Sequence, residues 1–78
     1  MKEVQPVFRN LKAEIARTGM TIPQCAEATG VSVGTFYRLL NGGSEWKLHE
    51  MTRMSQAIAE RDGHSGLDYL FGGKDGTT

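Results

Sequence analysis

The chain has 78 residues, a formal net charge of zero at neutral pH and 38% hydrophobic residues. This length allows one small domain, and no apolar run approaches the roughly 20 residues that a membrane-spanning helix needs. The N-terminus also has no apolar segment of signal-peptide length. The single cysteine, Cys25, excludes an internal disulfide, and we expect it to be a small buried hydrophobe.

The first predicted element is an amphipathic helix over residues 6–18. Its apolar side chains fall within an arc of about 100°, which is typical of a helix with one buried face. These side chains are Val7, Phe8, Leu11 and Ile15. Gly19 is expected to end this helix.

Two short capped helices are predicted around Gly30. Thr21 with Gln24 forms a capping box, so a helix begins near Ile22. Gly30 supplies a position with positive φ that ends it, and Ser32 caps the next helix. Ala26 is expected where the two helices cross closely, Val31 is expected to enter the core, and Asn41 with Gly42 stops the second helix.

The helix after Ser32 separates into two arcs when each residue advances about 100°. The inward arc consists of Thr35, Phe36, Leu39 and Leu40. The outward arc consists of Val33, Gly34, Tyr37, Arg38 and Asn41. The outward set is a poor core face and suits the reading of base edges, although plain solvated surface is the ordinary alternative for such a helix.

The rest of the chain predicts a flexible loop at 42–45, a fourth helix over about 47–59 and a turn-rich break at 61–66. A short closing helix at 67–71 and a frayed tail at 72–78 follow. The fourth helix is expected to bury one face, made of Leu48, Met51, Met54, Ser55 and Ile58.

Small residues, turn-forming residues and apolar residues follow one another at characteristic spacings along most of the chain. They are Leu11, Gly19, Met20, Thr21, Cys25, Ala26, Gly30, Val31, Ser32, Thr35, Phe36, Arg38, Leu39, Asn41, Gly42, Leu48, Met51, Met54, Ala57 and Ile58. In this pattern the chain resembles the phage lambda repressor-like, or Xre-like, family of DNA-binding proteins. The resemblance implies an all-α, compact five-helix domain over residues 1–71, with a helix-turn-helix at helices 2 and 3.

The chain departs from that family at three positions. Ile22 stands where a glutamine usually opens the second helix and reaches a phosphate. Ile15 stands where an arginine is common, and Trp46 where a proline is usual. None of these changes breaks the fold, but the first removes an expected phosphate contact. We expect Trp46 to pack in the core, the alternative being a place against the sugar-phosphate backbone.

By this resemblance the protein is expected to be a sequence-specific DNA-binding transcriptional regulator of repressor type, encoded by a bacterium or phage and cytoplasmic. It would act as a homodimer, with residues 32–41 in the major groove of a palindromic operator. The expected base contacts are Val33, Gly34, Tyr37 and Arg38. The expected backbone contacts are Gln24, Ser32, Thr35, Asn41, Ser44 and Lys47. No membrane, cofactor or small-molecule ligand is expected.

Tyr69 and Phe71 are candidates for a dimer contact, and the alternative is that both belong to the monomer core. Seven of the nine Lys and Arg residues, but five of the nine Asp and Glu residues, fall within 1–53. The small surplus of basic residues therefore lies in the part of the chain that contains the helix predicted to read DNA.

A second hypothesis is a helix-turn-helix module that binds a protein, such as an antirepressor or antitoxin-type partner, and has little DNA affinity. Zero net charge and the missing glutamine favour it. Catalysis is not expected, because Cys25, His49 and His64 stand at no catalytic or metal-ligand spacing. We expect both histidines to be solvated.

Overall fold

The computed structural model describes residues 8–72, which form five helical segments and contain no strand. Four are α-helices: α1 (Arg9–Thr18), α2 (Ile22–Thr29), α3 (Val33–Leu40) and α4 (Leu48–Glu60). A closing π-helical turn, Asp68–Gly72, replaces the short closing helix that we predicted one residue earlier. The start of the predicted first helix at 6–7, and the predicted tail beyond Gly72, lie outside the described residues.

The predicted helix caps are present. Thr21 and Gln24 form a reciprocal capping box, in which the Thr21 hydroxyl accepts from the Gln24 N–H at 3.2 Å. The Gln24 Oε1 in turn accepts from the Thr21 N–H at 2.9 Å. The Ser32 hydroxyl accepts from the Thr35 N–H at 3.1 Å and begins α3 in the same way. These bonds satisfy backbone donors that the first turn of a helix leaves without partners.

Gly30 makes the connection between α2 and α3 as short as the sequence predicts. Its φ is 90°, a conformation that strains any residue with a side chain. The N–H groups of Gly30 and Val31 both donate to the Ala26 carbonyl, at 2.8 and 3.0 Å. Because α2 ends within one residue, Ser32 can cap α3 directly after the turn.

The core lies between α2, α3, α4 and the inner face of α1. It consists of Leu11, Ile15, Met20, Cys25, Ala26, Phe36, Leu39, Trp46, Met54, Ala57, Ile58, Leu70 and Phe71. Cys25 is fully buried, and burial raises the pKa of its thiol, as expected for a small core hydrophobe. Ala26 is also buried, in agreement with the close helix crossing that we predicted there.

A row of aromatic rings connects the two ends of the described chain with α3. Phe8 packs edge-on against Phe71 with ring centroids 5.2 Å apart, Phe71 lies 5.0 Å from Trp46, and Trp46 lies 5.9 Å from Phe36. The Trp46 indole N–H donates to the carbonyl of Leu39 at 3.1 Å. Trp46 and Phe71 therefore belong to the core, which agrees with the alternative stated for Phe71.

The prediction that Leu48 faces the core is wrong, because 70% of this side chain is exposed. The buried residues of α4 include Glu50, Met54, Ala57 and Ile58. At 100° per residue Leu48 lies about 130° from the centre of that face. The buried side chain of Glu50 accepts from the Lys47 N–H at 2.9 Å and takes a place on the buried face of α4.

A buried carboxylate, Glu14, joins the closing turn to α1. It accepts from Arg17 at 2.7 Å and from the backbone N–H of His64 at 3.0 Å. The Arg17 hydrogen bond, followed by the His64 N–H, holds the pKa of Glu14 below its usual value. His64 is exposed as predicted, yet its ring stacks on Tyr69 at 3.9 Å. The Tyr69 carbonyl accepts from Asn10 at 2.9 Å.

Candidate nucleic-acid interface

α3 has one buried face and one exposed face, as the two predicted arcs require. Phe36 and Leu39 are buried, Leu40 is half-buried against the core, and Thr35 is half-buried. On the other side, Val33 is 41% exposed and Tyr37 is 48% exposed. Gly34, Arg38 and Asn41 are also exposed. All five residues that we predicted to face outward therefore do so.

The loop after α3 is fastened to the end of the helix. Gly42 takes a φ of 85° and turns the chain back. The N–H groups of Gly43 and Ser44 then donate to the Arg38 carbonyl, at 2.7 and 3.3 Å. Because these bonds satisfy a terminal helix carbonyl, the loop begins beside Arg38 rather than pointing away from α3.

The exposed face of α3 presents hydrogen-bond donors, a hydroxyl and methyl groups. The Arg38 guanidinium carries five N–H donors, and Tyr37 has a hydroxyl that donates and accepts. Val33 presents methyl groups of the sort that contact a thymine methyl. A side chain at Gly34 would meet no atom of the neighbouring structure within 4 Å, so the helix backbone is open there. Such a combination suits a groove that displays donors, acceptors and methyl groups.

The six residues that we predicted to contact the phosphate backbone lie around Arg38, at the end of α3, and at the starts of α2 and α4. Asn41 is exposed at the C-cap of α3, where its N–H donates to the Tyr37 carbonyl at 3.0 Å. The Thr35 hydroxyl accepts from Arg38 and from Ser32, so Ser32 is linked to Arg38 through Thr35, and the Ser44 N–H donates to the Arg38 carbonyl. Gln24 and Lys47 are placed by their own helices, α2 and α4. Since the Gln24 carbonyl oxygen is occupied by the Thr21 N–H, its exposed NH₂ group is the end with donors for a phosphate.

Charge on this side of the domain is small. Arg38 and Lys47 are exposed cations, and the exposed carboxylate of Glu45 lies between them in the sequence. These few charges give the surface little long-range attraction for a polyanion.

The sequence reasoning missed a second surface feature, a shallow, open depression on α4. It is lined by Leu48, His49, Thr52, Arg53 and Gln56. The exposed Leu48 was the signal that could have revealed it, had the register of α4 been assigned correctly. Across residues 8–72, no three His, Cys, Asp or Glu side chains are arranged to hold a metal ion. Within the same residues, no helix is long and apolar enough to cross a membrane.

Comparison of the chain with protein-family models, with curated proteins and with solved structures found no match.

Proposed function

We propose that this protein is a sequence-specific DNA-binding transcriptional regulator with a lambda repressor-like helix-turn-helix. In this proposal α2 and α3 are its two helices, and α3 lies in the major groove. The observation that carries the proposal is the exposed face of α3, where Val33, Gly34, Tyr37 and Arg38 are presented together. A helix that buries one face and offers donors, a hydroxyl and methyl groups on the other matches what base edges display.

The proposal includes a homodimer that binds a palindromic site of repressor type. A single face of this size and low charge would bind DNA weakly, and two copies on one duplex multiply the contacts. In helix-turn-helix dimers the half-sites lie about one helical turn apart. In the lambda repressor-like family a glutamine at the start of the second helix contacts a phosphate. Here Gln24 would make this contact, since its NH₂ group is exposed within the first turn of α2.

The proposal is tested by selecting bound duplexes from a random DNA pool and titrating the enriched duplex at several salt concentrations. We expect enrichment of one sequence with dyad symmetry, and an affinity that falls steeply as salt rises. Replacement of Arg38 by alanine should cost about 1 to 3 kcal/mol of affinity while leaving thermal stability nearly unchanged. Arg61→Ala removes the same charge near the end of α4 and should bind normally.

A protein-binding module remains the second candidate, and the exposure of Val33 and Tyr37 together with zero net charge favours it. Apolar and aromatic side chains at the centre of a patch are also what protein partners bury. No enrichment of any sequence, with no DNA binding even at low salt, would reject the DNA-binding proposal in favour of this one. An unfolded Arg38→Ala variant would show that the two faces of α3 are assigned backwards.

A further inference from the structure

The backbone of Arg38 is tied to the loop that follows α3. Its carbonyl accepts from the N–H groups of Gly43 and Ser44 at the end of α3. Gly43 also passes close beside the Arg38 stem, since a Cβ at this glycine would lie 3.6 Å from the Arg38 Cβ and 3.7 Å from its Cγ. The loop therefore lies next to the first carbons of the Arg38 side chain.

The guanidinium end is held by a chain of hydrogen bonds from the first turn of α3. An Arg38 terminal nitrogen donates to the Thr35 hydroxyl oxygen at 3.2 Å. The Ser32 hydroxyl also donates to this oxygen, at 3.0 Å, and itself accepts from the Thr35 N–H. The Ser32 hydroxyl thus accepts from the backbone of Thr35 and donates to the side chain of the same residue. The cap of the helix is thus linked to the guanidinium through one threonine.

From this arrangement we propose that Thr35 is a positioning residue for Arg38, and that the positioned guanidinium reads a guanine. The inference rests on the function proposed above and names the base that the site recognises. A guanidinium has five N–H donors, and one suffices for Thr35. Those that remain can form the paired hydrogen bonds to the guanine O6 and N7 atoms, which is the commonest specific arginine contact in the major groove.

Positioning affects affinity because a long side chain loses rotamer freedom when it binds. Thr35 removes part of that freedom in the free protein, so less is lost on binding. Replacing Thr35 by valine keeps the shape of the side chain and removes the hydroxyl oxygen. We expect Thr35→Val to weaken binding to the selected duplex about three- to tenfold. Thr35→Ser retains the oxygen and should bind nearly as wild type, as should the matched change Thr52→Val on α4.

A double-mutant cycle distinguishes this role from a direct phosphate contact by Thr35, which the sequence also predicted. If Thr35 acts through Arg38, the valine substitution should change affinity by less than about twofold once Arg38 is alanine. The preference of the wild-type protein for guanine over adenine at one position should shrink in Thr35→Val and vanish in Arg38→Ala. Equal losses in both Arg38 backgrounds would overturn the positioning role.

The free protein supplies a measurement that does not require DNA. Rotation of the Arg38 guanidinium about its Nε–Cζ bond, followed by NMR on isotope-labelled protein, should be several-fold faster in Thr35→Val than in wild type or Thr35→Ser. Unchanged rotation would also overturn the proposal. If wild type selects no DNA sequence, the proposed function fails together with the guanine assignment. If wild type selects a sequence without a required G·C pair, only the guanine assignment fails.

Discussion

Replacement of Gly34 by alanine should stabilise the protein. Gly34 is the second residue of α3, it is exposed, and an added Cβ would meet nothing within 4 Å. Its φ is not among the positive values of the described residues, so alanine fits without strain. The gain in helix propensity is about 0.5 to 1 kcal/mol. For a domain of this size that corresponds to a rise in Tm of about 2 to 8 °C.

The same methyl group should weaken DNA binding. Gly34 lies on the face that we propose to enter the major groove, and the absence of a side chain lets the backbone approach the bases. A methyl group there fills that space, so we expect the affinity for the selected duplex to fall about tenfold, or 1.4 kcal/mol. Thermal unfolding and DNA titration of one preparation measure both effects, which have opposite signs.

A control separates the two effects of this substitution. Ala59 is exposed on α4, and Ala59→Gly should lower stability by about 0.5 to 1 kcal/mol while DNA affinity stays the same. If Gly34→Ala binds the duplex as tightly as wild type, Gly34 does not approach DNA, and the exposed face of α3 is not the surface that enters the major groove. If Gly34→Ala melts at a lower temperature, the space beside Gly34 is not open.

Three further predictions concern the fold. Gly63→Ala should lower the free energy of unfolding by about 1 to 3 kcal/mol, because its Cβ would lie 2.5 Å from the Ile58 Cγ2; an unchanged Tm would contradict that contact. Glu14→Gln should make the free energy of unfolding fall less steeply as the pH is lowered. The pKa of Glu14 is lower in the folded state than in the unfolded state. Its stabilising contribution is therefore complete above the unfolded pKa near 4.5 and is lost as the pH falls through the folded pKa. Melting curves from about pH 7 to about pH 3 measure this, and equal acid slopes in variant and wild type would refute it. Cys25 should react with a thiol reagent only after unfolding, since it is fully buried and burial raises its pKa, and rapid labelling of native protein would contradict this burial.

The helix ends could be predicted from the sequence because each depends on a few adjacent residues. The Thr21 capping box, the turn at Gly30 and the Ser32 cap all agree with the prediction. The two faces of α3 followed from helical periodicity alone, since Phe36 and Leu39 are strongly apolar and their opposite side is mixed.

Features that depend on distant residues were not predictable in this way. Glu14 meets His64 and Tyr69, which follow it by 50 and 55 residues. Nothing local to Glu14 marks it as a buried carboxylate. At Leu48, periodicity gave the wrong side because the carboxylate of Glu50, paired with the Lys47 N–H, occupies the buried position. The prediction placed the apolar side chain of Leu48 on the buried face of α4, whereas the structure places the hydrogen-bonded carboxylate of Glu50 there.

The aromatic row gives the protein an internal optical reporter. Trp46 is the only tryptophan in the chain, and it contacts Phe71 of the closing turn, Phe36 of α3 and the carbonyl of Leu39. Its emission therefore senses the joint between α3 and the C-terminal part of the fold. Any event that shifts α3 relative to that joint can be followed by fluorescence without attaching a dye.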